Sequence, residues 1–290
     1  SNWGGTESSF PSICNPYGES LLLDRPAFEK ELRAVVRNSK CILQEQCRHV
    51  RSLINTAQCS VSYEREGESI TATADWILDC TGRSSHIAHQ PGAYRRKHDA
   101  LMATWRIYGG LVGKQISSLV IESCSNGWFY SAPLPRSGRM VIFFTDEDLP
   151  DYREIWSEAG WNKMIRHTSL ISDLLAFQPQ LKVGPLRRGV ANTSRLNRAA
   201  GPSWEAVGDA AMAFDPLSSQ GMSAAIAGGA NAAASLIEAQ SGEGNAISQY
   251  RDWLHQNFTG YAHQYKHYYG LIPRDYGGEF WKRRKGAVFV

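Results

Sequence analysis

Apolar positions along this chain follow two different rhythms. An apolar triplet, Leu21-Leu22-Leu23, predicts a short strand. Phe28, Leu32, Val35 and Val36 then recur at spacings of three and four, which predicts a helix capped by Asp24 with Pro26 in its first turn. Alternation takes over at Ser60-Val61-Ser62-Tyr63 and Ser69-Ile70-Thr71-Ala72-Thr73. The turn-prone Arg65-Glu66-Gly67-Glu68 between them predicts a β-hairpin. Trp76-Ile77-Leu78 reads as a short buried strand running into Asp79-Cys80-Thr81-Gly82-Arg83-Ser84-Ser85.

Longer alternating runs at 102–108, 118–122, 127–131 and 140–145 predict a sheet of their own, antiparallel because its connections are short. Residues 151–177 return to the helical period, carrying Ile155, Trp156, Ile165, Leu170, Leu174, Leu175 and Phe177. A strand at Glu205-Ala206-Val207 leads into Gly208-Asp209. Residues 222–237, rich in Ala, Gly and Ser, predict a closely packed internal helix. A last helix from 247 to about 269 carries a stripe of Tyr250, Leu254, Phe258, Tyr261, Tyr265 and Tyr268.

Composition limits what such elements build. With 290 residues, 42% apolar, including nine Trp, twelve Tyr and ten Phe, the chain has ample material for a packed core, and general disorder is excluded. No apolar run is long enough for a membrane span. A net charge of +3 argues against a nucleic-acid partner. Cys14, Cys41, Cys47, Cys59, Cys80 and Cys124 form no CxxC pair and no zinc spacing, as expected of reduced thiols in a cytoplasmic protein. The start, Ser1-Asn2-Trp3-Gly4-Gly5, has no initiator Met and no secretory signal, which suggests a piece whose beginning lies elsewhere.

The most informative stretch runs from Gly208 through Asp209, Asp215, Pro216, Leu217, Ser218, Ser219, Gln220 and Gly221 to Met222. A carboxylate at a strand end is placed to accept hydrogen bonds from a polyol. The amides at the following helix N-terminus suit an anion or a developing negative charge, and Gly221 admits a flat ring closely. The plainer reading is a strand–turn–helix with an incidental Asp.

This stretch resembles the second flavin-contact motif of the FAD-dependent aromatic hydroxylase and halogenase superfamily. Two further segments, in the same order, resemble other motifs of that superfamily: Leu23-Asp24-Arg25-Pro26-Ala27-Phe28 its strand-to-helix turn, and Asp79 to Ser85 its D-x-T-G-x-x-S strand end. The resemblance implies an α/β fold, a FAD-binding Rossmann-like domain with an inserted antiparallel substrate sheet. It divides the chain into 1–85 and 190–245 for FAD, 86–189 for the substrate sheet and 246–290 as a C-terminal helical segment. It also implies that Asp209 binds the ribityl hydroxyls and that the Gly221 and Met222 amides face the pyrimidine edge of the isoalloxazine. Arg25 would lie near the pyrophosphate or ribityl region and Thr81-Gly82 on the adenosine side, with Gly208, Pro216, Ser219 and Gln220 completing the cofactor set. No GxGxxG is present, and Gly109-Gly110-Leu111-Val112-Gly113 has the wrong place and flanks. The nucleotide-binding start is therefore expected outside this chain.

Within the superfamily, Trp128-Phe129-Tyr130-Ser131-Ala132-Pro133 is similar in kind to the W-x-W-x-I-P segment of flavin halogenases, with Tyr130 and Ala132 as departures. The slot of the halogenase Glu–Ser pair holds Ser218-Ser219. A nearer resemblance is to the flavoprotein maturases of amino-acid oxidases with a cysteine tryptophylquinone cofactor. It rests on Asn15-Pro16-Tyr17-Gly18, Gly127-Trp128-Phe129-Tyr130 with Pro133-Leu134-Pro135, Phe143-Phe144-Thr145-Asp146 and Phe280-Trp281-Lys282-Arg283-Arg284. It implies oxygen insertion into a tryptophan of a partner protein or into a small aromatic substrate, with a flavin reductase as a possible second partner. A halogenase, or a non-catalytic binding protein that has lost its nucleotide fold, are the alternatives. Trp128, Tyr130 and Phe144 are candidates for a substrate wall and equally for core. No side chain is assigned a catalytic role. His263 and His267 lack a third metal ligand and read as a surface or packed pair. The basic clusters Arg95-Arg96-Lys97-His98 and Lys282-Arg283-Arg284-Lys285 read as solvated loops, with an acidic partner surface as the alternative.

Overall fold

A computed structural model describes residues 1–9, 22–55, 58–89, 92–110, 118–135, 138–176, 182–242, 244–273 and 276–289. Cys14, the 15–18 segment, Leu21, residues 111–113 and Phe177 lie outside the described residues. The chain opens with strands β1 (Asn2–Trp3) and β2 (Thr6–Glu7), then helix α1 (Arg25–Arg37). Strands β3 (Arg48–Leu53), β4 (Cys59–Arg65), β5 (Glu68–Ala74), β6 (Ile77–Asp79) and β7 (Arg95–Lys97) follow. Next come β8 (Leu101–Gly109), β9 (Val120–Cys124), β10 (Gly127–Leu134) and β11 (Gly138–Asp146), then α2 (Pro150–Glu154), α3 (Glu158–Arg166) and α4 (Leu170–Leu175). Short strands β12 (Lys182–Val183), β13 (Arg187–Val190), β14 (Ser194–Leu196), β15 (Ala200–Gly201), β16 (Trp204–Ala206) and β17 (Met212–Ala213) precede helices α5 (Gly221–Gln240), α6 (Ala246–Gly270) and α7 (Glu279–Lys285).

The chain divides into two compact units: 1–43 with 100–191 and 266–287, and 44–99 with 192–265 and 288–290. These boundaries differ from the segments read from the motifs. Residues 44–99 cluster with 192–265, and α6 gives its final turns to the first unit.

The first unit is built on the expected antiparallel sheet of β8, β11, β10 and β9, extended to the order β12-β8-β11-β10-β9-β1-β2, in which β1 pairs β9 in parallel and β13 also pairs β8. One face packs Tyr108, Phe129, Val141 and Phe143 against Ile155, Trp161, Met164, Ile165 and Ile171 of the α2–α4 segment, and Trp161 Nε1 donates to the Tyr108 hydroxyl at 2.7 Å. The helical period expected over 151–177 is carried by three helices. Ser157 stops the first by capping α3, accepting from Gly160 N at 3.0 Å. The buried Glu122 carboxylate, on a strand, accepts from Ser169 N at 2.6 Å and Ile171 N at 3.0 Å and so starts α4. On the opposite face Trp128 stacks on its cross-strand partner Phe144 at 4.2 Å. Trp3 wedges edge-on against Trp128 and Trp281.

The basic cluster near the C-terminus is not a solvated loop. Arg284 is fully buried, pairs with Asp146 at 2.7 Å and lies over the Phe280 ring at 3.4 Å, while Arg283 bonds Asp148 at 2.8 Å. Helix α1 forms as expected, with Asp24 accepting from Ala27 N at 3.2 Å. However, none of its side chains is buried, Val35 being 68% exposed. Leu22 and Leu23 are exposed coil rather than strand, and pair with no strand among the described residues.

In the second unit β3, β4 and β5 form an antiparallel sheet, and the predicted hairpin turns at Glu66-Gly67, both with positive φ. Strands β6 and β16 pair in parallel, Ala206 opposite Asp79, and β14 lies between β7 and β17. The expected stripe of α6 is buried at Tyr250, Leu254, Phe258, Tyr261 and Tyr265, but Tyr268 is exposed and Tyr269 is buried in its place. Helix α5 is not internal. Only Gly228, Ala232 and Ser235 are buried, and Met222, Ile226 and Ile237 are exposed, because a single small-residue face packs on the strands. No helix among the described residues is long and apolar enough to cross a membrane.

Candidate functional site

The candidate site lies within the second unit, where two strand ends meet one helix start. Strand β6 ends at Asp79, whose buried carboxylate accepts from Thr81 N at 2.9 Å, Thr81 Oγ1 at 2.6 Å, Ile87 N at 3.1 Å and Ala88 N at 2.8 Å. Four donors on one carboxylate fix the 80–88 loop, and Asp79 has nothing left to offer a ligand. The Thr81 hydroxyl is likewise committed, also accepting from His86 N at 2.9 Å. Gly82 stands beside it at positive φ, with nothing within 4 Å of the position a Cβ would take.

Strand β16 delivers the chain through Val207 to Gly208, whose φ of 59° only glycine adopts without strain. A Cβ here would also stand 3.3 Å from the Ala225 Cβ of α5. Asp209 follows, with a side chain 44% exposed and an oxygen 3.8 Å from Arg83 Nε. No hydrogen bond fixes its carboxylate among the described residues.

Two arginines brace this turn from behind. Arg83 donates to the Asn192 carbonyl and side chain and to Phe214 O at 3.1 Å. Arg95 donates to Ser85 Oγ, to Ser194 Oγ at 3.0 Å, and to the carbonyls of Asp209 at 2.9 Å and Ala210 at 2.7 Å. Burial lowers both guanidinium pKa values, that of Arg95 to about 10 with Arg83 as the second cause. Sequence reasoning missed both roles. Arg83 lies inside the Asp79–Ser85 motif, where nothing local shows what it holds, and all the Arg95 partners but Ser85 lie about a hundred residues away.

The chain then turns through Asp215, buried and accepting from Leu217 N at 2.8 Å, and through Pro216 to Ser219. Ser219 takes a left-handed φ of 53°, Gln220 precedes the first turn of α5, and the amides of Gly221, Met222 and Ser223 find no acceptor among the described residues. A Cβ on Gly221 would meet nothing within 4 Å. Thus Thr81, Gly82, Gly208 and Asp209 adjoin one another, linked by the Ser85 hydroxyl donating to Ala210 O at 2.9 Å. Pro216, Ser219, Gln220, Gly221 and Met222 continue the same surface through the Gly208–Ala225 approach. The arrangement fits a polyhydroxyl chain at Asp209 and an electron-rich edge at the helix start.

Of the remaining predicted residues, Arg25, Trp128, Tyr130 and Phe144 belong to the first unit. Arg25 opens α1 and pairs with Glu29 at 2.8 Å. Trp128 and Phe144 are buried in the sheet's core, and Trp128 Nε1 donates to the Tyr269 hydroxyl at 3.1 Å. Of the three aromatic candidates only Tyr130, two residues along the same face, keeps free surface. His263 and His267 are exposed on α6.

A parallel strand pair ending in such a site, carried in one chain with a large antiparallel sheet, defines an α/β fold of the flavin-dependent hydroxylase and halogenase type. Comparison with known proteins shows the fold. No family profile matches, but the chain is 27% identical over 296 residues to the FAD-dependent oxidoreductase LodB of Marinomonas mediterranea, covering 97% of this chain and 76% of LodB. It superposes on CmlS, a flavin-dependent halogenase, with a TM-score of 0.81 at 19% identity, over 96% of this chain and 52% of that one. It also superposes on QhpG, a peptidyl tryptophan dihydroxylase essential for tryptophylquinone cofactor biogenesis, with a TM-score of 0.71 at 20% identity, over 98% of this chain and 62% of that one. The fold is that of the FAD-dependent monooxygenase and halogenase superfamily, as the motifs implied. The chain spans about half of CmlS and under two thirds of QhpG.

Proposed function

We propose that this chain supplies the ribityl-binding and substrate-facing parts of a FAD-dependent monooxygenase that oxygenates an indole ring, that of a tryptophan in a partner protein. The observation that carries the cofactor half is the half-exposed Asp209 carboxylate beside three unclaimed amides of α5. LodB is a FAD-dependent oxidoreductase and CmlS a flavin-dependent halogenase, and a carboxylate free to accept from hydroxyls fits the ribityl chain of FAD. The Gly221 and Met222 amides face its pyrimidine edge and favour negative charge there. Pro216, Ser219 and Gln220 aim those amides, and Arg83 with Arg95 holds the Asp209 turn. Thr81 and Gly82 flank the adenosine side, Thr81 as surface only, since its hydroxyl is taken. Arg25 is assigned to the pyrophosphate region. When bound, the flavin supplies the activation of dioxygen, and the protein supplies orientation and dryness. On the substrate side Tyr130 provides the apolar wall.

QhpG, which acts on a peptidyl tryptophan, supports a protein substrate. Ser218 and Ser219 stand where tryptophan halogenases carry a Glu–Ser pair, which weighs against a tryptophan halogenation. A separate flavin reductase is the proposed source of electrons. The test supplies the full-length protein with FAD, a flavin reductase, air, chloride and a tryptophan-containing peptide of its partner, and reads the product by mass spectrometry. Gain of oxygen is expected. Replacement of hydrogen by chlorine, or an unchanged peptide, contradicts the proposal.

A further inference from the structure

The second unit contains a cavity of about 360 Å³ between β14, β17 and α6 that takes no part in the site described above. Its charges all have one sign. Arg195, Arg198, Arg251 and His255 line it, and no acidic side chain does. Arg195 is the deep one. It is half-buried on β14, lies 4.4 Å over the face of Phe258, and makes no hydrogen bond or ion pair among the described residues. Its cross-strand partner is another cation, Arg96, and burial together with Arg96 lowers its pKa. Arg198, Arg251 and His255 are exposed and stand at the rim.

A guanidinium withdrawn from water without an anion is costly, and such groups are ordinarily paired. The floor beside it is apolar, formed by Met212, Leu254 and Phe258. A cation at the inner wall, an aromatic face beneath it and a basic rim are the chemistry that retains an amphiphilic anion. One planar guanidinium matches one carboxylate through two parallel hydrogen bonds. We propose that this cavity binds a small organic acid, its planar apolar body on Met212, Leu254 and Phe258 and its carboxylate on Arg195.

The inference does not depend on the flavin reading. It is tested on the full-length protein with excess FAD present, so that the cofactor site is not open to the probe. Calorimetric titration with 2-naphthoate, neutral 2-naphthalenemethanol and inorganic phosphate separates charge from shape. Naphthoate should bind at least tenfold more tightly than either of the others, and less tightly as salt is raised. Arg195→Gln should weaken naphthoate by tenfold or more and leave the alcohol unchanged, with an unfolding temperature equal to or above the parent's. Arg195→Lys, which keeps the charge, should keep the preference for naphthoate over the alcohol, and decides the matter if the Gln variant does not fold. Naphthoate binding no tighter than the alcohol, phosphate binding as tight as naphthoate, or a Gln variant indistinguishable from the parent would each overturn the proposal.

Discussion

The two ends of Gly208–Met222 and the β10–β11 pair make opposite uses of their side chains. On the sheet the large buried groups of the aromatic face already have partners. Trp128 stacks on Phe144 and donates to Tyr269, and the buried Arg284 guanidinium is matched by Asp146. In the turn the supporting groups are answered as well, Asp79 by four donors and Arg95 by carbonyls, but Asp209 and the first amides of α5 are left open. Apart from the 3.8 Å approach of Asp209 to Arg83 Nε, these groups have no partner among the described residues, which leaves them able to meet a ligand. An aromatic residue on an alternating strand marks packing first, whereas a half-exposed carboxylate held by a braced turn is a candidate for binding.

That contrast sets the scale of what substitution should do. Trp128→Ala should be the most damaging change, lowering stability by about 3–5 kcal/mol as a large buried aromatic is deleted. Urea unfolding measures this, and a small loss would return Trp128 to the list of substrate contacts. Arg284→Leu should cost a similar 3–5 kcal/mol, because it leaves Asp146 buried without its partner. If stability barely changes in urea, the pair is not as dry as it looks.

Arg83→Ala should separate brace from fold. Removing its bonds to Asn192 and Phe214 loosens the turn, and FAD affinity should fall about tenfold, equivalent to one hydrogen bond's net worth of roughly 1.4 kcal/mol. Fluorescence titration reads the dissociation constant, while the circular dichroism spectrum should stay that of the parent. Lost secondary structure would make Arg83 a folding residue instead.

A smaller effect belongs to pH. Glu205 is buried on β16, bonded only to Ser235 at 2.6 Å, and burial raises its pKa to about 7. Its folded value lies above the unfolded one, so its contribution is complete below the ordinary glutamate range and is lost as pH rises towards 7. Glu205→Gln removes that loss. The unfolding temperature of the variant should therefore vary less between pH 5 and pH 8 than the parent's, and parallel curves would contradict the shift.

Much of this was legible along the chain. The sheet from β8 to β11 was readable because its strands alternate cleanly and its connections are short, which leaves antiparallel pairing as the simple solution. The Asp209 turn was readable because a Gly-Asp at a strand end, a Pro and a Gly before a small-residue helix have no other economical conformation. What escaped depends on distant partners. Nothing local to 151–177 reveals that Glu122 starts a helix at Ser169. Nothing around Arg95 or Arg284 reveals that the one is half-buried against carbonyls, and the other buried against a carboxylate, more than a hundred residues away. Helix α5 looked internal from its Ala and Gly content, but small residues mark a face of close approach and do not say how many faces are covered.

Asp209 itself gives the most direct test. FAD binding by the full-length protein is compared with that of Asp209→Ala and Asp209→Asn, by flavin retained through gel filtration and by fluorescence titration. The account predicts a loss of about ten- to a hundredfold for Ala, as expected for charge-assisted hydrogen bonds of roughly 1.5–3 kcal/mol, a smaller loss for Asn, and an unfolding temperature without FAD close to the parent's. If Asp209→Ala binds FAD as tightly as the parent, the open carboxylate is not the ribityl ligand and the reading of the site is wrong.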